Sequence, residues 1–135
     1  MREMTIEATV DNLNTVLGFV DEYLEEINCG MKAQMQIDVA VEEMYVNVAN
    51  YAYGSGKGMV TVGVDERNEP HAVAIILKDQ GVPYDPLAKE DPDITLSAND
   101  REIGGLGIYM TKKVMDDILY EYKDGVNILT MIKNL

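Results

Sequence analysis

The chain has 135 residues, 47% of them hydrophobic, so it is long enough for one well-packed domain and too short for two of ordinary size. Its formal net charge of −13 repels phosphate backbones, which excludes a nucleic-acid binder that works through clustered lysine and arginine. One cysteine and one histidine exclude an intramolecular disulfide and a zinc site built from Cys and His. We expect a single domain over residues 1–135.

The composition and the N-terminal sequence indicate a cytoplasmic protein. A lone cysteine fits a reducing compartment. The first ten residues, "MREMTIEATV", contain no long apolar region of the kind that a secretory signal needs. Nowhere do about 18 apolar residues run together, so we expect no membrane association through a spanning helix.

The first half of the chain predicts a strand, two helices and a hairpin. Alternating β-branched residues favour a strand from Met4 to Val10, after which Asp11 is a candidate helix cap. The helix that follows carries an apolar stripe of Leu13, Val16, Leu17, Val20, Leu24 and Ile27. A second, longer helical pattern covers residues 32–53, and "MVTVGVDE" and "HAVAIILKD" predict two strands joined by a turn.

The second half begins with a long stretch that has no periodicity. From Gln80 to about Ile103 it is rich in proline and acidic residues, which is uncommon within a compact domain unless the stretch works as a lid or a binding loop. Three glycines then open a helix, and two strands follow with an Asp124-Gly125 turn between them. Hairpins rather than βαβ crossovers predict an α+β sandwich with helices on one face of a mostly antiparallel sheet.

The second helix carries a polar edge beside its apolar stripe. Glu43 and Asn47 are one helical turn apart and are therefore neighbours in space. A carboxylate beside an amide oxygen could position a hydroxyl group and supply one ligand to Mg²⁺, which prefers hard oxygen ligands. The alternative is an exposed helix edge with an ordinary polar pair.

Two further segments have the residue types of a nucleotide site. In "KDQGVPYDP", Asp79 ends an apolar strand and could accept a hydrogen bond from an exocyclic amine, while Gly81 lacks a Cβ and leaves room for a planar ligand. In "REIGGLGIYM", glycines at a helix start favour an anion site, because the first backbone N–H groups and the helix dipole attract negative charge. Each segment alone is also compatible with a simple turn or a close helix contact.

The three segments, in this order, resemble the N, G1 and G2 boxes of the GHKL superfamily of ATP-binding domains. "VEEMYVNVANYAYG", "DQGVPYDP" and "REIGGLGIYMTKKVMDDI" are most similar to the stand-alone bacterial anti-sigma-factor serine kinases. The resemblance covers nearly the whole chain. It implies a two-layer α/β sandwich with a mixed, mostly antiparallel sheet and a mobile ATP lid, here at about 84–103.

The resemblance also implies roles for individual residues. Glu43 matches the general base, and Asn47 matches the Mg²⁺ ligand in the ATP site. Asp79 matches the partner of the adenine amine, with Gly81 beside the ring. The phosphate-facing segment comprises Gly104, Gly105, Leu106 and Gly107. Arg101 could reach the terminal phosphate from the lid, with Lys112 or Lys113 as weaker candidates.

Two positions depart from the pattern of the serine-kinase branch. Tyr51 stands four residues after Asn47, where that branch often has histidine. Asn127 stands where many members have a threonine near the adenine. The first departure concerns the assignment to the serine-kinase branch, and the second concerns the affinity for nucleotide.

The function implied by the resemblance is a Mg-ATP-dependent serine protein kinase that acts as an anti-sigma factor. Its implied partners are a sigma factor, which it sequesters, and an anti-anti-sigma protein of the STAS type, which it phosphorylates; a homodimer would fit as well. The alternative is an ATP-binding sensor module that transfers no phosphate. A two-component histidine kinase is disfavoured, because the only histidine, His71, lies in a predicted hairpin.

Overall fold

The computed structural model describes residues 1–54, 56–88 and 105–135. Arg101, Gly104 and the lid predicted at 84–103, except its first five residues, lie outside these ranges. Of Gly105 and Leu106 only the backbone is described.

Strands and helices follow one another in the predicted order. The elements are β1 (Arg2–Glu7), α1 (Leu13–Glu26), α2 (Met31–Tyr51), β2 (Met59–Arg67), β3 (Ala72–Asp79), α3 (Gly105–Val114), β4 (Asp117–Lys123) and β5 (Val126–Asn134). None of the helices in the described ranges combines the length and the apolar character needed to cross a membrane.

The strands form one sheet in the order β1-β2-β3-β5-β4, and every pairing between them is antiparallel. The β4–β5 connection is the predicted Asp124-Gly125 turn, with φ of 53° and 80°. Two consecutive positive φ angles are typical of the tight hairpin turn that matches strand twist. The α+β prediction is therefore confirmed.

One face of the sheet and the three helices share a single apolar core. Alternate residues of the central strands point into it, because successive side chains of a strand face opposite sides. Its buried members from the strands include Val60, Val62, Val64, Val73, Ile75, Leu77, Leu129 and Met131. Those from the helices include Val16, Val20, Leu24, Ile37, Ala40, Val41, Met44, Tyr45 and Ile108.

The first strand and the first helix differ from their predicted bounds. Strand β1 ends at Glu7 rather than at Val10, because the Tyr45 hydroxyl of α2 donates to the Thr9 carbonyl at 2.6 Å and holds the chain away from the sheet. Asp11 is not a helix cap: it lies in a short 3₁₀ turn, and α1 begins two residues later. The side chain of Asn12 donates to the Glu7 carbonyl at 2.9 Å instead of capping the helix.

The apolar stripe of α1 packs inward. Val20 is fully buried, and Leu13 and Leu17 are partly buried against the core. These residues therefore contribute mainly to packing rather than to an exposed contact surface.

Two carboxyl groups meet where α1 packs against α2. One oxygen of Asp21 and one of Asp38 are buried, and within the described residues neither has a hydrogen-bond partner. Burial, the adjacent Asp21 carboxyl and the charge of Glu25 raise the pKa of Asp38 from 3.8 to about 7. A proton on Asp38 can be shared with Asp21, which relieves both the repulsion and the missing hydrogen bond.

We expect Asp38→Asn to stabilise the fold at high pH. The folded state keeps the Asp38 proton up to about pH 7 while the unfolded chain loses it near 3.8, so wild-type stability falls as pH rises through this window. Above the window the charged Asp38 is a constant penalty, which asparagine removes. In urea unfolding, the variant should have a higher free energy of unfolding than wild type at pH 8. This difference should shrink toward pH 5.

Asp11→Asn is the matched control, because Asp11 is exposed. Its stability should change with pH in parallel with wild type. An Asp38→Asn advantage that is the same at pH 5 and pH 8 would contradict the shared proton.

Candidate functional site

The polar edge of α2 faces the start of α3 across a small cavity. The cavity, of about 150 Å³, is lined by Glu43, Val46, Asn47, Asn50, Tyr51, Gly107 and Ile108. The two residues that the sequence placed one turn apart, Glu43 and Asn47, thus open on the same space. Within the described residues, no hydrogen bond or ion pair engages either side chain, so both have free oxygen atoms to offer a ligand.

At Gly107, α3 comes close to the Glu43 side chain of α2. A Cβ at this position would lie 2.2 Å from Oε2 of Glu43, so the carboxylate would have to move if Gly107 were replaced. Since α3 begins at Gly105, Gly107 is in its first turn, where backbone N–H groups have no acceptor within the helix. The site therefore combines a carboxylate, an amide and the positive end of a helix dipole.

A second cavity adjoins the first at the C-terminal half of α2. It is lined by Met44, Asn47, Val48, Tyr51, Ala52, Leu77, Asp79, Val82, Tyr84, Pro86, Tyr120, Asn127 and Leu129. Asn47 and Tyr51 line both cavities. The tertiary structure thus brings Asp79 of β3 to the same hollow as Asn47 of α2, although they are far apart in sequence.

Asp79 is buried, with 7% of its surface exposed, and its carboxylate is held on one side only. Oδ1 accepts hydrogen bonds from the Gly81 backbone N–H and from the Asn127 amide, both at 2.9 Å. Among the described residues no hydrogen bond reaches Oδ2. A carboxylate with one free oxygen beside an apolar cavity is suited to accept a hydrogen bond from an amino group.

Gly81 also has a structural role at the end of α2. A Cβ on Gly81 would lie 2.1 Å from the carbonyl oxygen of Ala52, and Gly81 is not among the residues that line the cavity. The next residue, Val82, donates its N–H to the same Ala52 oxygen at 2.8 Å. The missing Cβ therefore makes room for the end of α2.

The sequence did not identify two tyrosines of the site. The Tyr120 hydroxyl donates to Oδ1 of Asn127, and the Tyr84 N–H donates to the same oxygen at 3.3 Å. Partial burial, ahead of the nearby Asp85 and Asp79 carboxylates, raises the pKa of Tyr120, so the hydroxyl keeps its proton. The only sequence signal was the place of Tyr120 between Ile118 and Tyr122 on the inward face of a strand.

Tyr51 lines both cavities, whereas Lys112 and Lys113 lie further along α3 and line neither. The ring of Tyr51 stacks on that of Tyr84, with centroids 6.5 Å apart and planes at 28°. The ammonium group of Lys113 lies 5.3 Å from the Tyr109 ring centre, and Lys112 is half-buried on the same helix.

Comparisons with known proteins place the chain in a family. Residues 6–133 match the model of the histidine kinase-like ATPase domain. The chain therefore belongs to the histidine kinase-like ATPase domain family, which confirms the resemblance inferred from its three motifs and implies that its nucleotide is ATP.

Two curated relatives are serine kinases. The chain is 28% identical over 134 residues to the serine-protein kinase RsbW of Halalkalibacterium halodurans, covering 96% of this chain and 74% of that protein. It is 24% identical over 100 residues to the serine/threonine-protein kinase BtrW of Bordetella bronchiseptica, covering 74% of this chain and 70% of that protein.

A solved structure shares the fold. It contains the RsbU and RsbW domains of a protein from Mycobacterium tuberculosis and superimposes with a TM-score of 0.64 at 17% identity. The match covers this whole chain but only 33% of that longer one. At this identity the similarity concerns the fold alone.

The two glycines of the site differ in what an added Cβ would meet, so the same substitution should cost more stability at Gly81 than at Gly107. Gly81→Ala brings a Cβ against backbone, which cannot move cheaply, so we expect a loss of about 1–3 kcal/mol of unfolding free energy. Gly107→Ala meets only the mobile end of the Glu43 side chain and adds a good helix former, so its stability should stay within about 1 kcal/mol of wild type. Urea unfolding of both variants checks the contrast, and equal losses would contradict it.

Proposed function

We propose that this protein is a Mg-ATP-dependent serine protein kinase that acts as an anti-sigma factor. It phosphorylates an anti-anti-sigma protein of the STAS type on serine, and it sequesters a sigma factor. The observation that supports the proposal is that Asn47 lines both cavities, with Asp79 on one of them and Glu43 on the other.

The cavity that is lined by Asp79 and by mostly apolar and aromatic residues takes the adenine. The free Oδ2 of Asp79 accepts a hydrogen bond from the exocyclic amine. The Gly81 N–H donates to Oδ1 of Asp79 and so orients the carboxylate. Pockets of this kind combine apolar walls with a few convergent polar groups, and such groups determine which base binds.

The cavity between α2 and α3 takes the triphosphate. Backbone N–H groups in the first turn of α3, including that of Gly107, attract phosphate oxygens without basic side chains, which suits a protein of net charge −13. Gly104, Gly105 and Leu106 belong to the same glycine-rich segment, and Arg101 is assigned to the terminal phosphate. These four assignments come from the family resemblance, because their side chains lie outside the described part of the chain.

The donor set on α2 fits magnesium. Asn47 lines both cavities, and its amide oxygen, a hard oxygen ligand, has no hydrogen-bond partner among the described residues. Magnesium held by Asn47 would neutralise charge on the phosphates.

Glu43 accepts the proton that the reaction releases. The serine oxygen of the protein substrate attacks the γ-phosphorus, and a new O–P bond forms as the bond to the β-phosphate oxygen breaks. ADP leaves with that electron pair, and the serine proton passes to the Glu43 carboxylate. Phosphoryl transfer depends mainly on positioning and charge stabilisation, so the helix start, the amide and one carboxylate are a sufficient set of groups.

The relatives support the same reaction. This chain aligns with at least 70% of the length of each of two relatives, and these are named a serine kinase and a serine/threonine kinase. The sigma factor and the STAS-type antagonist are inferred from the family resemblance, and the cytoplasmic location is inferred from the composition and the N-terminal sequence.

Glu43→Gln should abolish phosphoryl transfer and leave ATP binding in place. Loss of a general base lowers the rate by about 100-fold or more. The measurement is transfer of labelled γ-phosphate from ATP, with Mg²⁺, to the STAS-type protein encoded nearest this gene. Nucleotide binding is followed in parallel by calorimetry.

Glu42→Gln is the matched control, because Glu42 is the neighbouring exposed carboxylate on α2 and lines neither cavity. Transfer that persists in Glu43→Gln would remove the assignment of the base. ATP binding without transfer by wild type would favour the sensor module.

Asn47→Ala should weaken ATP affinity in the presence of Mg²⁺ by about 10–100-fold, because the metal loses a protein ligand. In EDTA the variant and wild type should bind ATP with similar, low affinity. Asn14→Ala, an exposed asparagine on α1, is the control and should keep the full Mg²⁺ dependence. An Asn47→Ala variant whose affinity responds to Mg²⁺ as wild type does would exclude Asn47 as the ligand.

A further inference from the structure

Asn127 connects the strand that carries Asp79 to the hairpin that carries Tyr120. It is the second residue of β5, lies directly opposite Asp79 in the β3–β5 register, and is 6% exposed. A buried amide in this position must satisfy both its donor and its acceptor atoms within the protein.

The hydrogen bonds of Asn127 permit one orientation of the amide. Its Nδ2 donates to Oδ1 of Asp79 and to the Val82 carbonyl, both at 2.9 Å. Its Oδ1 accepts from the Tyr120 hydroxyl and from the Tyr84 N–H. Rotating the amide by 180° would place its oxygen against the Asp79 carboxylate and the Val82 carbonyl, so two attractive contacts would become repulsive.

This arrangement determines which oxygen of Asp79 is free. Oδ1 is occupied by two donors, from Gly81 and Asn127, so the carboxylate cannot turn without losing both. Oδ2 remains as a fixed acceptor on a residue that lines the cavity. A base that presents an amine there gains a hydrogen bond, whereas a base that presents a carbonyl oxygen meets a negative charge.

We propose that Tyr120 and Asn127 act together as positioning residues that determine base specificity: the Tyr120 hydroxyl fixes the Asn127 amide, and Asn127 fixes Asp79 as an acceptor for 6-aminopurine nucleotides. The inference rests on the proposed function, because it assigns the purine base to the cavity beside Asp79. It gives the asparagine, present where a threonine is common, a role in orienting the carboxylate.

The test compares ATP with inosine triphosphate, which carries a carbonyl oxygen in place of the 6-amino group. Dissociation constants for both nucleotides are measured by calorimetry on wild type, Tyr120→Phe and Asn127→Leu. We expect wild type to bind ATP more tightly than inosine triphosphate. In both variants the ratio of the two dissociation constants should fall about tenfold, as is typical when a hydrogen bond to a charged group is disordered. The KM for ATP should rise accordingly, while kcat at saturating ATP stays within about twofold.

Tyr122→Phe is the matched control, since it removes a hydroxyl from the same strand, and no hydrogen bond to that hydroxyl occurs among the described residues. Its ATP preference should equal that of wild type. A purely structural role of Tyr120 would weaken both nucleotides equally or lower the melting temperature without nucleotide, and would leave the ratio unchanged.

Two failures are distinguishable. If wild type discriminates and binds ATP but Tyr120→Phe and Asn127→Leu keep its ratio within about twofold, only the positioning role is overturned. If wild type binds neither nucleotide, the proposed function falls and the inference falls with it.

Discussion

The carbonyl oxygen of Ala52, at the end of α2, determines where the loop after β3 packs against α2. Helix ends leave carbonyl groups without intrahelical partners, and here the Val82 N–H satisfies one of them at 2.8 Å. Gly81 lets the loop come this close, because any Cβ would lie 2.1 Å from that oxygen. This contact holds the loop after β3 against α2. As a result, Asp79 and Asn47 share a cavity.

Two aspartates of the chain, Asp79 and Asp38, differ in the partners that their carboxyl groups meet. The Asp79 carboxylate receives donors from Gly81 and Asn127, which compensate for the loss of water. Asp38 instead faces Asp21 with a buried oxygen that has no partner among the described residues, and its pKa rises to about 7. The two donors hold the Asp79 carboxylate as an oriented hydrogen-bond acceptor, whereas the surroundings of Asp38 favour its protonated form.

Much of the fold was predictable because it depends on local patterns. Apolar residues at helical spacing located α1 and α2, and the Asp124-Gly125 pair located the β4–β5 turn, since positive φ angles at two consecutive positions favour these residue types. The errors occurred at boundaries. Residue Asp11 has the chemistry of a cap but lies in a 3₁₀ turn, because a distant tyrosine of α2 determines where β1 ends.

By itself the sequence determined the order of the elements, the neighbouring positions of Glu43 and Asn47, and the family, because helical periodicity and motif spacing are local properties of the chain. The tertiary structure alone decided that Asn127 lies opposite Asp79, that Tyr84 and Tyr120 complete its hydrogen bonds, and that Gly81 serves the end of α2. The physical reason is that strand register and the docking of a loop on a helix depend on residues far apart in sequence, whose contacts no local pattern records.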